Sequence, residues 1–271
     1  MTKINNNITT VGLQDDVNRF IEKLQLEICR IVRQNFVGCY LHGSLALGGF
    51  NKHSSDIDLL VVTKTALTIS VQKELAKLFL STSTKPYPIE ITFFHVEQLK
   101  VWSHPCPYDF HYSEYWRDRF VTALQNNSSL YFNLHDKTDV DLAAHLTILH
   151  KQGICLKGKP IHKVFPTVPK FDYLDALLSD YNDCLDNMEH TPVYCILNLL
   201  RVYLFVKEER ITSKQEAGFW GLHHLPQNIN GIAKKALLAY ETNTNAASFH
   251  TTELCLFKAY IDENVQQFIN A

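Results

Sequence analysis

The chain predicts an α+β fold, a small mixed sheet flanked by helices followed by an all-helical bundle, and three observations carry the prediction. Short β-branched runs occur early, with no comparable run after Phe94. Apolar residues at helical spacing dominate the second half. The length of 271 residues and the 46% hydrophobic content suit one large or two modest domains, each with its own core.

The elements follow in order. From Leu13 to Asn35 the residues Val17, Phe20, Ile21, Leu24, Leu26, Ile28, Ile31 and Val32 recur at helical spacing and mark an amphipathic helix. "FVGCYLHG" is a short apolar strand ended by Gly43, and a brief helix or turn follows Ser44. "DIDLLVVTK" is too short for a buried helix and suits a central strand. A helix over Ser70–Leu80 precedes "PIEITFF", a third strand opened by Pro88. Helices are then expected over Val140–Leu156, Tyr173–Leu185, Tyr194–Val206, Lys214–Leu222, Ile229–Tyr240 and Ser248–Ile269. The change of character falls in "NLHDKTD", near Asn133 to Thr138, which divides the chain into 1–135 and 136–271. No repeat, low-complexity tract or Pro-rich linker separates the halves, so they are expected to pack and form a cleft.

Composition excludes several classes. With 26 basic and 28 acidic residues the chain lacks the footprint of a general nucleic-acid or anionic-membrane binder. "MTKINNNITTVG" has no apolar signal region, and no stretch reaches the roughly 18 apolar residues of a membrane span, so a monomeric cytoplasmic protein is expected. Seven scattered cysteines without a C-x-x-C pair indicate neither a disulfide framework nor a zinc knuckle; Cys155 and Cys195 read as core. Thirteen histidines without H-E-x-x-H read as solvated or capping, with His42, beside the glycine loop, the exception to watch.

The informative stretch is "HGSLALGGFNKHSSDIDLLVV". Residues two apart in a strand share a face, so Asp56 and Asp58 project together with Cα atoms about 6.6–6.8 Å apart. Such carboxylates repel unless a cation lies between them, and a hard divalent ion such as Mg2+ resolves the conflict while holding substrate phosphates. Gly43 lets the backbone approach closely, and Ser44 offers a hydroxyl and an N–H at a helix N-terminus, where an anion is favoured. Glu90 lies between Ile89 and Ile91, where a carboxylate is costly unless exposed at a site, paired or bound to metal. On a neighbouring strand it faces the same cleft and can take a proton from an attacking hydroxyl. Either dipeptide alone has a bland reading, as an edge feature or a common turn. Together they point to phosphoryl or nucleotidyl transfer.

At these residues the chain resembles the DNA polymerase β-like nucleotidyltransferases, and most of all the bacterial aminoglycoside (3″)(9) adenylyltransferases. Gly43, Ser44, Gly48, Gly49, Ser55, Asp56 and Asp58 stand in matching places, and "PIEITFF" is similar to the segment in which the family's Glu acts as base, here Glu90. "DVDLAAHLTILHKQGICLKGKP" and "ILNLLRVYLFVKEERITSKQEAGFW" carry the likeness into the second half, with Asp141, Arg201 and Lys214 matched. The resemblance implies an N-terminal nucleotidyltransferase domain, a C-terminal helical domain, and ATP with Mg2+ where they meet. It implies transfer of AMP to a hydroxyl of a cationic drug of the spectinomycin or streptomycin type. Asp56, Asp58 and Glu90 would hold metal, Gly43, Ser44 and Ser55 would cradle the triphosphate, and Arg201 and Lys214 would face the phosphates.

Read singly, Arg201 in "LNLLRVYLF" is snorkelling, ion-paired or facing the cleft, and Lys214 is a solvated lysine or a phosphate ligand. Glu114, Tyr115 and Trp116 place an acid beside aromatic rings, which suits either a cationic aminocyclitol or ordinary core packing. Asp139 and Asp141 suit a helix cap, and Asp141 has a second reading, facing the acceptor site. The chain also departs from its relatives. Thr191 stands where they carry an Asp, and Tyr115 stands at the place of their Trp, with Trp116 one step later. The acceptor is therefore less legible than the chemistry. A protein or RNA acceptor, or a non-catalytic nucleotide-binding module, are the competing readings.

Overall fold

The computed structural model describes residues 15–129, 132, 137–242 and 248–269. The N-terminal "MTKINNNITTVG" and the expected junction at 133–136 lie outside the described residues. Two compact units emerge, one formed by the described residues up to Phe50 with Ser55–Tyr173, the other by Asn51–Ser54 and the described residues from Leu174.

The first unit is built on a five-stranded mixed sheet. Helix α1 (Asp15–Val32) buries Val17, Ile21, Leu24, Ile28 and Val32, a stripe at spacings of three and four. Asp15 and Asp16 in its first turn and Arg30 in its last suit the helix dipole. Strand β1 (Phe36–Leu41) leads into the one-turn helix α2 (Gly43–Ala46), and β2 (Ile57–Thr63) returns antiparallel to β1. Helix α3 (Ile69–Thr82), capped by the Thr68 hydroxyl accepting from the Val71 N–H, carries the chain to β3 (Ile89–His95), parallel to β2. After the short β4 (Cys106–Pro107), β5 (Phe110–Tyr112) adds antiparallel to β3. Helix α4 (Arg117–Gln125), the short β6 (Thr138–Asp139), helix α5 (Leu142–Gln152) and β7 (Ile154–Gly158) complete the unit. The sheet order is β5-β3-β2-β1-β7, and β4 pairs with β6.

Alternation assigns the two faces of the sheet. Cys39, Leu41, Ile57, Leu59, Val61, Ile89, Ile91 and Phe93 pack with the apolar stripes of α1 and α3. Tyr40, Leu60, Val62 and Phe94 pack on the other face with Leu142, Leu146 and Leu149 of α5. A carboxylate at an even-numbered position of β2 or β3 therefore projects toward α5.

Three expectations are corrected here. The helix expected over Val140–Leu156 stops at Gln152, because Gly153 breaks it, and Ile154–Gly158 pairs with β1 instead. Residues 137–173 consequently belong with the sheet, and the division falls at Tyr173 instead of near 135. Cys155, read as core, is exposed on the outer strand β7, whereas Cys195 is buried.

Among the described residues the second unit contains helices and no strand: most of α6 (Lys170–Asn187), then α7 (Pro192–Glu208), α8 (Lys214–His224), α9 (Asn230–Thr242) and α10 (Thr251–Ile269). Pro192 opens α7, where its missing N–H costs nothing, and burial from Cys195 through Leu200 on every side makes α7 the central helix. A capping box between Ser213 and Glu216 fixes the start of α8. No helix among the described residues is long and apolar enough to cross a membrane.

Candidate active site

Two parallel strands deliver the acids. β2 and β3 run in register from Ile57↔Ile89, so Asp58 stands directly beside Glu90, both on the face that α5 covers. Asp56 precedes β2 by one residue, and its charge adds to the field on both neighbours.

The glycine turn is shaped around Asp58. The His42 N–H donates to the Asp58 carbonyl at 3.1 Å, and the Ser44 N–H donates to Asp58 Oδ2 at 3.3 Å. Gly43 has φ +65°, and a Cβ there would lie 1.8 Å from Asp58 Oδ2, so both its conformation and its bareness are required. The Gly49 N–H closes the loop on the Ser44 carbonyl at 2.9 Å. The sequence expectation gave the Ser44 N–H to an anion; in the fold it serves Asp58. The Ser44 hydroxyl is buried and has no hydrogen-bond partner among the described residues, which leaves it for a ligand oxygen. Ser55 is buried at the exit of the same loop.

Electrostatics at this face are strained. Burial, then Glu90 and Asp56, push the Asp58 carboxyl well above its ordinary range, although His145 and the Ser44 N–H oppose the shift. Burial also raises Glu90; His145 opposes, and Asp141 and Asp56 add to the rise. His145, on α5, is the counter-charge. Its Nε2 lies 3.0 Å from Asp141 Oδ2 and 3.9 Å from Glu90 Oε1. Burial would lower its pKa, but Asp141, Glu90 and Asp58 outweigh it and raise the imidazole to about 10. His42, with its ring centroid 4.8 Å from that of His145, is pushed well below its ordinary value by burial and by that neighbouring charge.

Among the described residues no three His, Cys, Asp or Glu side chains are spaced to hold a metal ion as they stand. The donor chemistry nevertheless fits a hard divalent cation. Two all-oxygen ligands, Asp58 and Glu90, are held above their ordinary pKa by burial and by like charge, the condition a dication relieves.

The remaining sequence-derived candidates are placed differently. Glu114 Oε2 pairs with Arg117 Nε at 2.6 Å, and its Oε1 accepts from Ser83 Oγ at 2.5 Å and Tyr112 OH at 3.1 Å. Its carboxylate is thus paired inside the fold with Arg117. The Trp116 ring packs on the core and carries its own cation, the Arg119 guanidinium 4.2 Å above it, while Tyr115 is exposed. In the second unit Arg201 donates to the Thr212 carbonyl at 3.1 Å and to Asn198 Oδ1 at 3.2 Å, so its guanidinium is hydrogen-bonded within that unit and not ion-paired by these contacts. Lys214, the first residue of α8, holds its Nζ 4.1 Å over the Tyr194 ring.

Comparison with known proteins agrees with this chemistry. The family description "Nucleotidyltransferase domain" matches residues 21–121, and "Aminoglycoside adenylyltransferase, C-terminal domain" matches residues 163–262. The chain is thus similar to nucleotidyltransferases in its first half and to aminoglycoside adenylyltransferases in its second. A spectinomycin 9-adenylyltransferase of Staphylococcus aureus is 28% identical over 232 residues, covering 81% of this chain and 86% of the relative. An aminoglycoside (3″)(9) adenylyltransferase of Klebsiella pneumoniae is 23% identical, over 89% and 91% of the two chains. The fold is similar to that of a spectinomycin adenylyltransferase of Enterococcus faecalis whose crystal structure contains ATP and spectinomycin. The TM-score is 0.75 at 22% identity, covering 92% of this chain and 99% of that one.

At this site, sequence reasoning missed His145. The signal was present: a histidine inside the apolar helix "LAAHLTIL", four residues after Asp141, is an i,i+4 acid–base pair.

Proposed function

We propose that the chain transfers AMP from ATP to a hydroxyl of a spectinomycin- or streptomycin-type drug and releases pyrophosphate, with Mg2+ required. The observation that carries the reading is the register of Asp58 with Glu90 on one face, beside a turn whose Gly43 leaves no room for a side chain. The names of the relatives support the acceptor class.

Asp56, Asp58 and Glu90 would hold Mg2+, which when bound neutralises phosphate charge and draws the reacting groups together. Glu90 takes the proton from the acceptor hydroxyl; its raised pKa, caused first by burial, makes it a better base than an exposed glutamate. The Ser44 hydroxyl, with Ser55 and the bare backbone at Gly43, seats phosphate oxygens. Lys214 and Arg201 supply positive charge for the triphosphate. Asp141, with more than half its side chain exposed, and Tyr115 meet the cationic acceptor. Catalysis by such a site is mainly alignment and charge stabilisation.

Incubation with ATP, Mg2+ and a panel of aminoglycosides, read by pyrophosphate release and by mass spectrometry, tests the reading. An AMP adduct is expected on spectinomycin, streptomycin or both. Glu90→Gln should retain nucleotide binding while turnover falls by about 10²–10⁴. An active Gln variant, or no adduct on any drug, would overturn it.

A further inference from the structure

Glu90 makes one ion pair among the described residues, and its partner is not a canopy of lysines or arginines but a single histidine from the opposite layer. His145 rises from α5 between Leu142 and Leu146, both buried against the sheet, so its ring is anchored by the same packing that fixes the helix. Asp141, one turn earlier, accepts from Nε2 at 3.0 Å and sets the ring plane. Nε2 approaches Glu90 Oε1 to 3.9 Å, longer than a hydrogen bond but close enough to limit where that carboxylate can stand. Every element around the ring contributes a polar group: Asp141 from α5, Asp58 from β2, Glu90 from β3, His42 from the end of β1 and His111 from β5. Buried Nδ1 atoms of His42 and His145 have no hydrogen-bond partner among the described residues, so Nε2 is the working edge of His145.

We infer that His145 is a positioning residue for the general base: Asp141 orients its imidazole, and the imidazole holds the Glu90 carboxylate toward the mouth shared with Asp58. The inference rests on the proposed role of Glu90 and extends it from a single carboxylate to an Asp141–His145–Glu90 chain. A leucine at 145 would keep the apolar contacts of α5 and release Glu90 to swing away from its like-charged neighbours. Because Asp141 acts on Glu90 through His145, the effects of changing the two on kcat are not independent, whereas the acceptor contact of Asp141 enters KM for the drug.

The test uses the 271-residue enzyme and the variants His145→Leu, His145→Gln, Asp141→Asn and the Leu/Asn double variant. Folded fraction is read by circular dichroism, kcat and KM by pyrophosphate release, and Mg2+-nucleotide affinity by calorimetry with a non-hydrolysable ATP analogue. His145→Leu should lower kcat about ten- to a hundredfold, as a misplacement of about 1 Å does, while KM for ATP and analogue affinity stay within about threefold. His145→Gln, which keeps a donor near Nε2, should recover part of the loss, and the double variant should be no slower than His145→Leu. A folded His145→Leu with unchanged kcat, or losses that multiply in the double variant, would overturn the inference. Should the Leu variant not fold, the Gln variant decides: kcat equal to that of Asp141→Asn supports the chain, and wild-type kcat in both refutes it. Turnover retained in Glu90→Gln would instead refute the base assignment itself, whereas an inactive Glu90→Gln beside a normal His145→Leu refutes the positioning role alone.

Discussion

Replacing Gly43 by alanine tests the seat of Asp58 in the sharpest way. The new Cβ would stand 1.8 Å from Asp58 Oδ2 and 2.4 Å from its Cγ, whereas real Cβ contacts essentially never fall below 3.0 Å, so the carboxylate must withdraw by about 1 Å. An L-residue at φ +65° adds backbone strain of roughly 1–2 kcal/mol. Gly48 isolates the two effects, because it has φ +76° but nothing within 4 Å of an added Cβ. Gly48→Ala therefore carries the strain alone, and Gly43→Ala carries the strain and the displaced acid. A misplacement of about 1 Å in a catalytic group costs about 10²-fold. Thermal denaturation should show a loss in both variants, the larger in Gly43→Ala, where the acid is also displaced. Pyrophosphate release with ATP, Mg2+ and spectinomycin should show Gly43→Ala about 10²-fold slower than Gly48→Ala. Equal rates in the two would refute the claim that the turn is built to place Asp58.

Lys214→Ala should raise KM for ATP about tenfold or more with a smaller change in kcat, the loss of a charged hydrogen bond to phosphate; an unchanged KM in initial-rate assays would leave Lys214 as a surface residue resting on Tyr194. His111 supplies a pH prediction. Burial first, and the His145 charge second, hold it down at about 4, below the ordinary 6.5, so the unfolded chain binds its proton more readily than the folded one. Its stabilising contribution is present above pH 6.5 and is lost as pH falls toward 4, amounting to roughly 3 kcal/mol at about 1.36 kcal/mol per unit. His111→Gln should flatten that acid limb in urea titrations at pH 4.5 and 7, and an unaltered limb would contradict the buried neutral ring.

The centre of the first unit was legible because its strands alternate cleanly. Asp58 and Glu90 each follow the first isoleucine of a strand, and a helix between them forces parallel pairing, so their adjacency follows from pattern and crossover alone. Helices α6 to α10 were legible from their periodicity and caps, within a few residues at each end. The strands β4, β5 and β6, of two or three residues, lie below what any periodicity can register. β7 was absorbed into the preceding helix because "ICLKG" buries only Leu156 and shows no apolar alternation. Glu114 was ambiguous for a different reason: an acid beside aromatics reads the same whether its partner is a ligand or Arg117, and only the fold supplies Arg117.

The return of β7 to the sheet has a consequence for anyone dissecting the protein. β1 is flanked by β2 on one side and β7 on the other, with Tyr40 and Leu41 paired to Cys155 and Ile154. A fragment ending near residue 135 would strip that second neighbour and the helix above it. It would present an apolar, hydrogen-bond-hungry ribbon to the solvent, an invitation to self-association. The smallest piece with its sheet intact must run on past Gly158, so the catalytic half is sealed by residues that a boundary drawn from hydropathy assigns to the other half.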